Sequence, residues 1–218
     1  MLELDQAIRE RHSTRMFLPH QPVPRELLNE ALALAQCAPS NSNIQPWHIV
    51  FASGAARDRL VAALLDEAKR RPPNIPPVPE SFAHYRRELG AQLYAAMGIG
   101  IEDKARHDAA VLLNWEFFRA PLAGIVCIHR DLSAADALSV GMYLQTLLLA
   151  LTERGLGSCV EVSVAGYPEI VRAQLPVISK ELSILCGLAV GYADPDFAAN
   201  KLVVNREPPG KNVVLVDE

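Results

Sequence analysis

Apolar residues recur three to four apart in some stretches of the chain and every second residue in others, and that change of period divides it into elements. Leu4, Ala7 and Ile8 share one face of a short helix over 3–10. Pro19, Pro22 and Pro24 then hold the backbone extended until a helix opens near Arg25, with proline at its first-turn position. Leu27, Leu28, Ala31, Leu32 and Ala35 form its apolar face, and Pro39 stops it. His48–Ser53 alternates and is β-rich, which predicts a strand. Residues 55–71 return to a charged amphipathic helix, and Pro72–Pro79 breaks regular structure as a semi-rigid extended linker.

A helical pattern with Phe82, Tyr85 and Tyr94 covers 81–98, Gly98–Asp103 interrupts it, and another helix is predicted over roughly 104–118. Leu122–His129 is an apolar run between Pro121 and Arg130-Asp131, hence a buried strand. Ser133 caps a long helix with Asp136 at the capping-box position. From Leu138 to Leu151 that helix is apolar nearly all round apart from Gln145, which predicts a buried central helix ending at Arg154-Gly155. A strand and loop over 156–164, a helix over 167–175 and a strand over Leu182–Tyr192 follow. The tail, 196–218, is polar and irregular except for Val213–Val216, which is β-rich and suited to adding to a partner's sheet edge.

Composition narrows the classes. A chain of 218 residues, half of them hydrophobic and 21% charged, fits one globular domain. A net charge of −4 gives no general attraction to nucleic acid or to an anionic membrane, so any anion site must be local. Cys37, Cys127, Cys159 and Cys186 lie far apart in apolar surroundings and read as reduced core residues. Glu3 and Asp5 precede any apolar run, which does not fit a signal peptide, and no window holds the ~18 uninterrupted apolar residues of a membrane helix. The expectation is a cytoplasmic protein. The histidines show no metal-ligand spacing, and there is no Walker motif, no H-E-x-x-H and no G-x-S-x-G.

Two stretches carry chemistry. In Glu10–Arg15, the guanidinium groups of Arg11 and Arg15 flank His12, Ser13 and Thr14. A planar fork matches a phosphate bidentately and a hydroxyl adds a short donor; a solvated basic turn is the plainer alternative. In Ala38–Trp47, Ser40, Asn41 and Asn43 offer donors and acceptors to a heteroaromatic ligand, or serve only their own turn.

Together, R-x-S-x-R (Arg11, Ser13, Arg15) and A-P-S-x-x-N-x-Q-P-W (Ala38, Pro39, Ser40, Asn43, Gln45, Pro46, Trp47), in this order, resemble the nitroreductase family of flavoproteins. The resemblance implies an α+β fold with a central mixed β-sheet flanked by helices, and a homodimer interlocked by exchange of C-terminal arms. It implies FMN as cofactor and NADPH or NADH as reductant. Its expected activity is ping-pong reduction of nitroaromatic or quinone-like aromatic acceptors, without a catalytic side chain. The implied FMN contacts are Arg11, His12, Ser13, Arg15, Pro39, Ser40, Asn41, Asn43, Gln145, Ser163, Val164, Ala165, Lys201 and Arg206. The phosphate falls to Arg11, Arg15 and Arg206 with Ser13, and the pyrimidine edge of the ring to Asn43.

Residues 72–108 correspond to a lid, or else to a surface helical hairpin, and Tyr85, Tyr94 and Phe117 are the acceptor-contact candidates. A reductive dehalogenase or flavin-fragmenting enzyme on the same fold, a flavin-binding sensor or carrier, and a flavin-free anion-binding protein are the alternatives.

Overall fold

The computed structural model describes residues 3–216. Its centre is a four-stranded sheet in the order β1-β2-β4-β3, formed by β1 (His48–Ser53), β2 (Leu122–His129), β3 (Gly157–Glu161) and β4 (Leu182–Gly191). Neighbouring strands are antiparallel throughout, and the one parallel pairing among the described residues is the isolated bridge from Ser13 to Ser158 on the free edge of β3. Side chains alternate across β2. Ala123, Ile125 and Cys127 join one buried cluster, while Leu122, Val126 and Ile128 join the other. Both faces are therefore covered, which is why this strand reads as a continuous apolar run.

The helices are α1 (Leu4–Glu10), α2 (Arg25–Ala35), α3 (Gly54–Arg70), α4 (Ala83–Ala96), α5 (Lys104–Leu112), α6 (Ala134–Glu153), α7 (Pro168–Gln174) and a short α8 (Pro209–Asn212). Residues of α2 and α6 pack in one cluster; those of α3 and α7 pack in the other. The result is helix, sheet, helix in three layers.

α6 starts as its sequence demands. The Ser133 N–H and hydroxyl both donate to the Asp136 carboxylate, completing a capping box. These bonds hold the Asp136 carboxyl below its ordinary range. Gly155, at φ 73°, supplies the left-handed exit. By length and composition α6 would suffice to cross a membrane, but Val140, Tyr143, Leu147 and Leu151 are buried in the core.

Three expectations need correction, and a fourth, strand addition by Val213–Val216 to a partner's sheet, is not tested by the single chain. The helix predicted over 104–118 ends at Leu112 and gives way to turns, and it could not have run on to 118 because Phe117, Phe118 and Arg119 adopt positive φ, which no right-handed helix contains. α6 is not buried all round, since Leu138 is 67% exposed and lies with Gly141 and Gln145 on an open stripe. Cys37 is exposed, whereas Cys127, Cys159 and Cys186 are buried. Val213–Val216 is left unpaired within the chain, with all four residues exposed.

Glu161 closes β3 with only 2% of its surface exposed, and neither carboxylate oxygen has a hydrogen-bond partner among the described residues. Burial pushes its pKa well above the ordinary 4.5, with Arg57 pulling the other way. The unfolded chain loses this proton near pH 4.5 while the folded chain keeps it, so stability falls as pH rises from there toward the raised folded pKa. Glu161→Gln is thus expected to raise the melting temperature, and to raise it more at pH 8 than at pH 5. A loss of stability at pH 8 in thermal denaturation would refute the buried neutral acid.

Candidate functional site

α1 ends at Arg11, whose N–H closes the last turn on the Ala7 carbonyl. The chain beyond is stitched down on both sides. Thr14 N–H donates to the Ser158 carbonyl at 2.9 Å, and Phe17 N–H to the Phe118 carbonyl at 3.1 Å. Thr14 fits only because residue 157 is glycine: a Cβ there would lie 2.6 Å from the Thr14 Oγ1. Arg15 is fixed from the far end of the chain, its N–H donating to Asn200 Oδ1 at 2.7 Å. Asn200 Nδ2 also donates to the Met16 and Asp194 carbonyls.

This stitching brings Arg11, His12, Ser13, Arg15, Lys201 and Arg206 onto one cleft of about 690 Å³. Among the described residues, no carboxylate lies within 4.0 Å of Arg11, Arg15, Lys201 or Arg206. Glu10 also lines the cleft, but its carboxylate accepts from Gln6. Arg15 Nη1 donates to the Ser13 carbonyl, and Arg206 Nη1 to the carbonyls of Val204 and Asn205, bonds that aim the cations without neutralising them. Behind them Cys159 is inert: burial pushes its thiol up to about 12, although Arg15 and Arg11 oppose this.

Arg15 also lines a second cavity of about 240 Å³, where it is the one charged residue among Leu93, Tyr94, Met97, Asn114, Phe118 and Phe197. Tyr94 is held there edge-on by His107 at 4.1 Å. Tyr85 lies apart, its hydroxyl donating to Glu207, which also accepts from Lys211. Phe117 is corrected here: it is 0% exposed, in the core, and out of reach of an acceptor, while its neighbour Phe118 faces the cavity.

The remaining candidates fall elsewhere. Ser163, Val164 and Ala165 form a 3-10 turn after β3, with Val164 buried and the Ser163 carbonyl accepting from Trp115 Nε1 at 3.3 Å. The Ser163 Oγ is buried without a partner among the described residues.

Pro39, Ser40, Asn41 and Asn43 belong to a loop in which Ser42, Asn43 and Gln45 take positive φ. Ser40 Oγ accepts from Gln45 N–H, and Asn41 is tied to α6 through Ser139 and Asp136. Asn41 therefore anchors the loop, and Asn43 is exposed. Along α6, Asn41 meets Ser139, whereas Thr14 shares a cavity with Thr152. That separation is roughly 20 Å of helix. Gln145 lies between them on the open stripe of α6. One chain thus presents two separate halves of the expected site.

Comparison with known proteins decides the family. A model described as the nitroreductase family matches residues 8–192. The chain belongs to the nitroreductase family. It is 36% identical over 208 residues to the nitroreductase NfnB of Mycolicibacterium smegmatis, covering 93% of this chain and 88% of that protein. It is 35% identical over 211 residues to the 4-nitrobenzoate reductase of Pseudomonas putida, covering 94% and 92%.

Among solved structures, the FMN- and NADPH-dependent nitroreductase NfnB from Sphigopyxis sp. strain HMH superposes with a TM-score of 0.93 at 30% identity over 100% of both chains. The FMN-dependent NfnB from Mycobacterium smegmatis, in complex with NADPH, gives 0.88 at 32% identity over 98% and 97%.

Sequence reasoning missed Asn200 and Asn114, since a single asparagine in a loop or after a helix carries no periodic signal. Asn200→Ala removes three hydrogen bonds from buried or half-buried backbone groups, each worth ~0.5–1.5 kcal/mol. The variant is expected to melt several degrees lower, with Asn200→Asp intermediate because it keeps the acceptor for Arg15 N–H. An unchanged melting temperature would contradict the clamp.

Proposed function

We propose that this nitroreductase-family chain is an FMN-dependent oxidoreductase that uses NADPH or NADH to reduce nitroaromatic or quinone-like acceptors in a ping-pong cycle. The observation that carries this reading is the arrangement around Arg15. Unneutralised cations converge on one cleft, and the same arginine opens onto a largely apolar, aromatic-lined cavity.

The residues fit the cofactor. A phosphate dianion suits Arg11, Ser13, Lys201 and Arg206, and a planar heteroaromatic ring suits the cavity beside Tyr94, Asn114 and Phe118. The exposed Asn43 amide supplies a further polar group for the ring edge. When bound, FMN supplies the hydride chemistry, taking two electrons from the nicotinamide and giving them to the acceptor. Arg15, beside the ring half, favours negative charge there. The apolar wall excludes water, and solvent at the cleft mouth supplies protons, so no side chain is assigned as acid or base.

The site is composite in this reading. Arg11 and Asn43 lie too far apart within one chain to act on one ring, which favours a homodimer in which the partner brings the Asn43 wall and Gln145. An open apolar stripe supports it, since Leu138 on α6 and Leu4 and Ile8 on α1 are 67%, 67% and 49% exposed. β1 is an edge strand with one side unpaired, and Val213–Val216 fits it as an exchanged arm. The chain acts as one domain, 1–218, residues 72–108 serve as the lid, and the cytoplasm is its compartment.

Arg11→Ala combined with Arg15→Ala is expected to strip FMN while far-UV circular dichroism stays unchanged. Full flavin occupancy would sink the assignment of Arg11 to the phosphate and Arg15 to the ring. Truncation after Asn212, which spares Asn200, is expected to weaken both the dimer and FMN retention. Sedimentation showing an intact flavin-loaded dimer would remove the arm exchange.

A further inference from the structure

Phe117, Phe118 and Arg119 hold φ of 52°, 50° and 66° in succession. Left-handed backbone is disfavoured for residues with a Cβ and is ordinarily visited singly, by glycine or asparagine. Three in a row persist only where the surroundings over-determine them. Local backbone bonds close the turn, Phe118 N–H to the Leu113 carbonyl at 2.9 Å and Ala120 N–H to the Phe117 carbonyl at 2.8 Å, and a side-chain restraint comes from α3. Arg57 donates through Nε to the Ala120 carbonyl at 3.1 Å and through Nη2 to the Glu116 carbonyl at 2.8 Å. One planar guanidinium thus spans the turn from its first flank to its last. Its third nitrogen pairs with Asp58 at 3.2 Å, and the side chain is 17% exposed. Arg57 lines neither the cationic cleft nor the Arg15 cavity.

What the turn touches gives this clamp its consequence. The Phe118 carbonyl accepts from Phe17 N–H, two residues beyond Arg15. The Phe118 side chain lines the cavity that Arg15 shares. The Phe117 ring fills space against Gly187, where a Cβ would lie 3.0 Å from the ring and 2.8 Å from Val164. Trp115, just before the turn, donates to the Ser163 carbonyl. The turn therefore sits between the arginine segment, the Ser163–Ala165 loop and the cavity wall. A shift in it moves all three.

We propose that Arg57 is a positioning residue for the cofactor site, acting by holding the left-handed turn Phe117–Arg119. It rests on the FMN reading above. Lysine cannot replace it fully, because a point donor does not span two carbonyls as a planar fork does. Relieving the strain should make it dispensable: glycine adopts positive φ freely, so Arg119→Gly should restore what loss of Arg57 removes.

The test uses the full-length chain and its Arg57→Met, Arg57→Lys and Arg57→Met/Arg119→Gly variants. Arg172→Met is the control, because Arg172 is similarly enclosed (18% exposed) and also donates to a backbone carbonyl, that of Leu182. FMN dissociation constants come from flavin fluorescence, alongside melting temperatures and acceptor KM and kcat. The expected result is FMN binding weakened at least tenfold in Arg57→Met, partial recovery in Arg57→Lys, and recovery to within about threefold in the double variant. Acceptor KM should rise by a larger factor than kcat falls. Arg172→Met should lose melting temperature yet bind FMN within twofold of wild type.

FMN binding within twofold of wild type in Arg57→Met would overturn the proposal. So would equal weakening in Arg172→Met at the same loss of melting temperature, or no recovery in the double variant. Should Arg57→Met fail to fold, Arg57→Lys and the double variant decide by the same criteria. A wild-type chain that binds no FMN would instead remove the cofactor reading itself, and the proposal with it.

Discussion

Like charges gathered without counter-ions are the constraint on which the site depends. Arg11, Arg15, Lys201 and Arg206 face one cleft in a chain whose net charge is −4. Their mutual repulsion favours dispersal, and it is screened least at Arg11 and Arg15, which are half-buried, whereas Lys201 and Arg206 are exposed. The fold opposes that dispersal with backbone geometry rather than with carboxylates. The Ser13–Ser158 bridge, the Thr14–Gly157 fit and the three bonds of Asn200 fix the segment from both sides. Glu10 lines the cleft, but among the described residues no carboxylate comes within 4.0 Å of these four cations to compete with an anionic ligand. The cations stay unneutralised, ready for a phosphate.

The rest of the architecture can be read as support for that arrangement. The sheet, covered on both faces, supplies a rigid edge at β3. α6 begins at a capping box beside Asn41 and ends at Gly155 beside Thr14, separating the two halves of the site along one helix. Backbone strain collects at both halves, over 42–45 and over 117–119. Such strain belongs where a loop must hold one shape for a ligand, and in the second case a single arginine from α3 spans it.

Periodicity and breakers made much of this legible. His48–Ser53 and Leu122–His129 have the predicted boundaries because turn residues bracket short apolar runs, and Ser133 with Asp136 announces α6 before any apolar residue is counted. Arg11, His12, Ser13 and Arg15 of the basic hexapeptide line a common cleft with the late Lys201 and Arg206. The failures share a cause. The turn at Phe117–Arg119 contains no glycine, so nothing local marks it, and the helical pattern in the sequence runs on past Leu112, where the helix ends. Phe117 looked available for an acceptor because burial is decided by Gly187 and Val164, seventy and forty-seven residues away. α6 looked buried all round because apolar composition does not say which neighbour covers each face. Asn200 was invisible for the same reason, since its partners lie 184 and 185 residues upstream.

The central claim is that the cleft and cavity sharing Arg15 hold an FMN that nicotinamide reduces. Anaerobic visible spectroscopy of the purified chain, titrated with NADPH and then with NADH, tests it most directly. A flavin band that bleaches on addition of nucleotide and returns when a nitroaromatic acceptor is added is the predicted result. A chain that shows no flavin band, even after incubation with FMN, would contradict it.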